Sequence, residues 1–127
     1  MQEVNIYEYA VIRLVPKVER EEVFNIGLVL FSKKKKYIRV DFYLCPDKFR
    51  LMHSKLDFEE IQQNLINFQK VANGEKDGGP IADLDIPERF RWLTAVRSSV
   101  VQTSRPHPGK SDDLDKTFER LFEELVK

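Results

Sequence analysis

The sequence predicts an α+β domain: an antiparallel sheet of three to four strands with helices packed on one of its faces. Three observations carry this. Strand-like patterns come first along the chain and helix-like patterns follow, the order expected when helices segregate from an antiparallel sheet. The stretch "YIRVDFYL", residues 37–44, alternates polar and apolar with period two, as a half-buried strand does. The chain has 127 residues, 42% hydrophobic and 33% charged, enough for one core and too apolar for disorder. Residues 1–127 are therefore read as a single globular domain.

The first strand is expected over 5–15, where Ile6, Tyr7, Tyr9, Val11, Ile12 and Val15 lie, with Pro16 ending it. A charged connection leads to a second strand over 23–32, "VFNIGLVLFS". Lys33 to Lys36 read as a hairpin tip, and the third strand follows over 37–44. A short helix is expected near Pro46–His53. A longer one runs over 57–72, with Asp57 and Glu60 as a capping box and Phe58, Ile61, Leu65, Phe68 and Ala72 at helical spacing. Residues 74–85, with Gly78-Gly79-Pro80, read as a mobile loop. Pro87 suits the first turn of a helix over 87–97. Residues 100–103 form a fourth short strand, which Arg105-Pro106-His107-Pro108-Gly109 is not expected to continue. Ser111 is expected to cap a last helix over 111–126, with a stripe of Leu114, Phe118, Leu121, Phe122 and Leu125.

The second strand raises the chemical question, because Asn25 and Gly27 are residue types depleted from strands. Strict alternation puts Phe24, Ile26, Leu28 and Leu30 on one apolar face and Asn25 and Gly27 on the other. With a three-residue turn at Lys33–Lys35, Gly27 lies across from Asp41 and Arg39 near Val29. With an even first hairpin, Arg13 lies near Asn25. One face then gathers Arg13, Asn25, Arg39 and Asp41 around the notch at Gly27. Two readings follow: an internal polar network that fixes register, or a shallow anion- or peptide-binding site. A second constellation, Arg97, Ser98, Ser99, Gln102 and Arg105, offers hydroxyl and guanidinium donors suited to phosphate or carboxylate. A helix end followed by an edge strand, with capping hydroxyls and solvated arginines, is the favoured reading, because nothing nearby supplies a general base. The lysine run 33–36 reads as a solvated turn that blunts a sheet edge, with nucleic-acid contact as the lesser alternative.

Composition excludes several classes. Lys+Arg and Asp+Glu number 21 each, so nucleic acid is not a favoured partner. No apolar run approaches the ~20 residues that span a bilayer, and Met1 to Glu8 is too acidic for a signal peptide. Cys45 is the single cysteine, which points to the reducing cytoplasm. His53 and His107 show no zinc-ligand spacing, so no metal is expected. Cys45, before Pro46, reads as a small hydrophobe, and no phosphate loop or dinucleotide fingerprint is present, so no cofactor is expected. Glu21-Glu22, Glu59-Glu60 and Asp112-Asp113 lie in loops or first helical turns, where acids need no catalytic role. No catalytic residue is assigned.

"YAVIRLVP" (9–16), "REEVFNIGLVLF" (20–31), "RWLTAVRSSVVQTSRPHP" (91–108) and "LDKTFERLFEELV" (114–126) occur in an order and spacing that resemble a bacterial domain-of-unknown-function family, DUF3037, over nearly the whole chain. The chain departs from that family's usual pattern at Ala10, where the family carries Ser, and at Leu14, where it carries an aromatic. The resemblance implies no activity. It implies a genomic setting beside a HipA-like kinase of toxin–antitoxin type, and hence a protein partner. Its polar positions fall on Arg13, Asn25-Ile26-Gly27 and Arg97-Ser98-Ser99. The expectation is a non-enzymatic cytoplasmic interaction protein. The alternative is a small enzyme or binder of a phosphorylated or nucleic-acid ligand, using Arg13, Asn25, Asp41 and Arg97.

Overall fold

The computed structural model describes residues 4–15, 23–47, 58–95 and 100–127. The expected Pro46–His53 helix and the cap at Asp57 fall mostly outside them; Pro46 and Asp47 are helical. Five strands form one antiparallel sheet: β1 (Asn5–Leu14), β2 (Phe24–Ser32), β3 (Tyr37–Phe42), β4 (Val101–Thr103) and β5 (His107–Ser111). Three α-helices accompany them among the described residues: α1 (Phe58–Asn73), α2 (Ile86–Thr94) and α3 (Leu114–Leu125). This is the α+β fold the sequence predicts. The sheet order is β3-β2-β1-β4, and β5 also pairs with β1.

The helices do not share one face. α1 and α2 cover one side, where Ile61, Leu65, Phe68, Phe90 and Leu93 pack against Ala10, Ile12, Leu14, Val29 and Phe31. α3 covers the other, where Leu114, Phe118, Leu121 and Phe122 meet Tyr7, Leu28 and Leu30. β1 and β2 are apolar on both sides, so a single helical layer would leave one side wet.

A bulge in β2 makes this possible. The β1–β2 pairing runs from Glu8↔Phe31 to Ile12↔Gly27, then slips by one residue to Arg13↔Asn25. Two residues of β2, Ile26 and Gly27, thus oppose Ile12 alone. The slip breaks strict alternation. Ile26 joins Val29 and Phe31 under α1 and α2, while Leu28 and Leu30 turn to α3. The expected single face of Phe24, Ile26, Leu28 and Leu30 is therefore split at the bulge. A Cβ at Gly27 would stand 2.9 Å from the Asp41 carbonyl and 3.0 Å from Ile12 Cδ1. Glycine is required there because Ile26 and Gly27 crowd the same side of Ile12.

The β2–β3 turn holds four residues, Lys33–Lys36, not three, with Lys36 at φ 51. Ser32 pairs with Tyr37, Leu28 with Asp41 and Gly27 with Phe42. The expected Gly27–Asp41 and Val29–Arg39 pairs are each displaced by one residue, because the fourth lysine changes the parity of the hairpin.

The chain after β4 does continue as a strand, β5, against expectation. Pro108 pairs with Glu8. The inward positions here alternate with Pro108, so its missing donor faces away from β1 and the edge strand tolerates it. Between β4 and β5 the edge kinks, and Ser104 Oγ accepts from Val11 N at 2.9 Å across the break. Gly109 leaves room for the Tyr7 ring.

The helix ends follow local chemistry. Asp113, not Ser111, caps α3, accepting from Lys116 N at 3.1 Å. Ser111 instead braces that cap, accepting from Asp113 N. Asp85 caps α2, which stops at Thr94. Residues 74–85 contain two 3-10 turns, Lys76–Gly78 and Pro80–Asp83, in place of an irregular loop. Arg89 from α2 donates to the Val71 and Ala72 carbonyls at the end of α1.

Candidate functional site

The residues singled out from the sequence fall into separate places. Gln102, Arg13 and Asn25 form one row across β4, β1 and β2, on the α3 side of the sheet. The row lies where α3 ends. Asn25 Nδ2 donates to the Leu125 carbonyl at 3.0 Å, satisfying an orphan acceptor of the last helical turn. Arg13 is its direct cross-strand partner. Its Nε is buried without a hydrogen-bond partner among the described residues. A concavity of about 360 Å³ adjoins the row, lined by Val23, Asn25, Tyr43, Cys45, Leu125 and Lys127, among others.

Arg39 and Asp41 are elsewhere. The Arg39 guanidinium lies over the Phe118 ring at 4.3 Å and reaches Asp115 at 3.5 Å, in the first turn of α3. Asp115 also accepts from the Tyr37 hydroxyl at 2.7 Å. Burial, and then this bond to a carboxylate, push the Tyr37 phenol up to about 12. Asp115 and Leu125 are separated by ten residues of helix, about 15 Å at 1.5 Å per residue, so Arg39 and Asn25 do not converge.

Asp41 guards the outer edge of β3. Its Oδ1 accepts from Phe42 N at 2.9 Å and from Gln69 Nε2 at 3.3 Å, and Gln69 also donates to the Val40 carbonyl. These are outward-facing backbone groups of an edge strand, which a charged side chain and an α1 amide close off. Arg105 is exposed at the kink between β4 and β5, where its carbonyl accepts from Ser104 Oγ. Arg97, Ser98 and Ser99 lie outside the described residues. No group of three or more His, Cys, Asp or Glu with metal-binding geometry occurs among the described residues.

A further concavity lies where the sequence marked nothing. The side chains of β1 that face α1 and α2 are Leu14, Ile12 and Ala10, all buried. The same stripe continues through Glu8 to Ile6 and Val4, which are 66% and 58% exposed. The helical cover stops at the stacked pair Phe31–Phe90, with centroids 4.6 Å apart. Beyond it, Val4, Ile6, Phe31, Pro108, Lys33 and Lys34, with Tyr7 and Glu8, line a groove of about 630 Å³. Periodicity finds an apolar stripe but not where the roof over it ends, so no sequence signal identified this groove.

The chain's profile from residue 9 to residue 126 matches the family described as Protein of unknown function (DUF3037). The protein belongs to this family. Comparison with curated proteins and with solved structures gave no match. The DUF3037 match begins within β1, so Val4 and Ile6 precede it. No helix among the described residues is long and apolar enough to cross a membrane.

Proposed function

We propose that this DUF3037 protein is a non-enzymatic accessory domain that binds a protein partner, with a HipA-like kinase as first candidate. One observation carries the reading: the apolar stripe of β1 runs out from beneath its helices to leave Ile6 and Val4 exposed in a groove. Contiguous exposed apolar surface with a polar rim is characteristic of interaction sites. The polar residues have structural work that supports the same reading. Asn25 caps α3, Asp41 closes the β3 edge, and Arg39 packs on Phe118, about one helix length from Asn25.

The test is reconstitution of the protein with a kinase-like product of an adjacent gene. The expected result is one complex that elutes ahead of either component at micromolar concentration. Separate elution of the two proteins under these conditions would refute the proposed pairing.

A further inference from the structure

We infer that the groove at the start of β1 docks an amphipathic helix of a partner protein, one whose apolar stripe is flanked by acidic residues; this rests on the protein-interaction reading above. The groove floor is apolar, built from Val4, Ile6 and Pro108, with Phe31 at its inner end. Its banks are basic. Lys33 and Lys34 rise on one side from the β2–β3 hairpin tip. On the other side Lys110 of β5 pairs directly with Ile6 and so stands on the same face of the sheet. Glu8 is the single carboxylate among the lining residues. An apolar stripe between acidic flanks complements this arrangement in both shape and charge.

The secondary structure of the occupant follows from the layer it would extend. Ala10, Ile12 and Leu14 of the same stripe are roofed by helices of this chain, ending at Phe90. A helix laid on Ile6 and Val4 continues that layer. A bilayer is a poorer occupant, because interfacial binding needs protruding apolar side chains, whereas these lie on a concave floor between lysine banks. A second folded copy is poorer still. Among the described helices α3 carries the most acids, Asp115, Glu119, Glu123 and Glu124, but Lys116 and Arg120 are interspersed with them and its apolar stripe is already spent on Leu28 and Leu30.

The experiment selects a phage-displayed library of helix-forming peptides on the folded protein. Enriched peptides are expected to carry apolar residues at i, i+3, i+4 and i+7 with an excess of Asp and Glu. Ile6→Ser is expected to weaken a selected peptide by about tenfold or more, as loss of a central apolar anchor does. Lys33→Glu with Lys110→Glu is expected to weaken it further at low salt and to flatten its salt dependence. Ile6 is largely exposed, so an unchanged melting temperature establishes that Ile6→Ser still folds. The inference is overturned by failure to enrich any peptide, by enrichment of basic ones, by equal binding to Ile6→Ser, or by Ile6-dependent binding of phosphatidylglycerol vesicles. A reconstituted kinase complex that survives Ile6→Ser overturns the groove assignment while leaving the interaction reading standing.

Discussion

Replacing Gly27 with alanine tests the account of the β2 bulge. The added methyl meets the Asp41 carbonyl at 2.9 Å and Ile12 at 3.0 Å for Cδ1 and 3.2 Å for Cβ, where ordinary contact begins at 3.4 Å. The Ile12 methyl can rotate away; the carbonyl and Cβ cannot. β2 must therefore part slightly from β1 and β3, and overpacking of this kind costs ~1–3 kcal/mol. Gly27 does not adopt positive φ, so no backbone strain adds to this. Loss of glycine's freedom in the unfolded chain returns ~0.4–1 kcal/mol. The net expectation is a loss of about 1–2 kcal/mol, or roughly 3–10 °C in melting temperature for a chain of this size. Thermal melts and urea titrations with an unchanged m-value measure it. In an Ile12→Val background, which removes the 3.0 Å contact, the same change should cost less, with coupling of about 0.5 kcal/mol or more. A Gly27→Ala protein as stable as the parent would refute the steric argument, and full additivity with Ile12→Val would remove Ile12 from it.

Three further outcomes are expected. Asn25→Ala removes the bond to the Leu125 carbonyl, but water reaches that exposed site, so the loss is about 0.5–1 kcal/mol; amide exchange in the last turn of α3 should quicken, and unchanged protection there would argue against the cap. Asp41→Ala opens the outer edge of β3, so light scattering should show concentration-dependent association that the parent lacks; indistinguishable scattering would count against edge protection. Tyr37 holds its proton more tightly when folded, near 12 against an ordinary 10.0, so its contribution to stability is complete below pH 10 and is lost as the pH rises from 10 toward 12. Asp115→Asn should bring the ultraviolet titration of Tyr37 down in pH, and an unmoved titration would exclude the Asp115 carboxylate as a cause.

Much of the architecture is legible in the chain because it rests on local patterns. β2, β3, α1 and α3 sit within a residue or a few of where their periodicity puts them. Arg13 pairs with Asn25 as expected, but through the bulge and not through an even hairpin, since the pairs from Glu8↔Phe31 to Ile12↔Gly27 run in the other register. Two single-residue events account for most of what was not legible. The bulge at Ile26–Gly27 reverses the alternation of β2, and the fourth turn residue, Lys36, shifts every β2–β3 pair. Neither alters composition or period enough to be seen, yet each reassigns whole faces. Pro108 misled for a related reason: a proline forbids a ladder bond only where its nitrogen faces a neighbour. The candidate site shows the same limit. Arg39 and Asp41 share the α3 side of the sheet with Arg13 and Asn25, as alternation predicts, but the pairs that would bring them together do not form and the length of α3 holds Arg39 and Asn25 apart. The β1 groove depends on how far α2 reaches, a tertiary fact.

The two-sided cover of the sheet also has a consequence for biosynthesis. β1 and β2 emerge from the ribosome early, but α3, which shelters Tyr7, Leu28 and Leu30, follows every strand in the chain. At synthesis rates of about 5–20 residues per second, the nascent sheet carries that bare side for several seconds. The interval is a window for chaperone capture, and it closes only when the stripe of Leu114, Phe118, Leu121 and Phe122 leaves the exit tunnel. A nascent chain stalled before Leu114 should therefore remain bound by trigger-type chaperones, and one extended beyond α3 should be released.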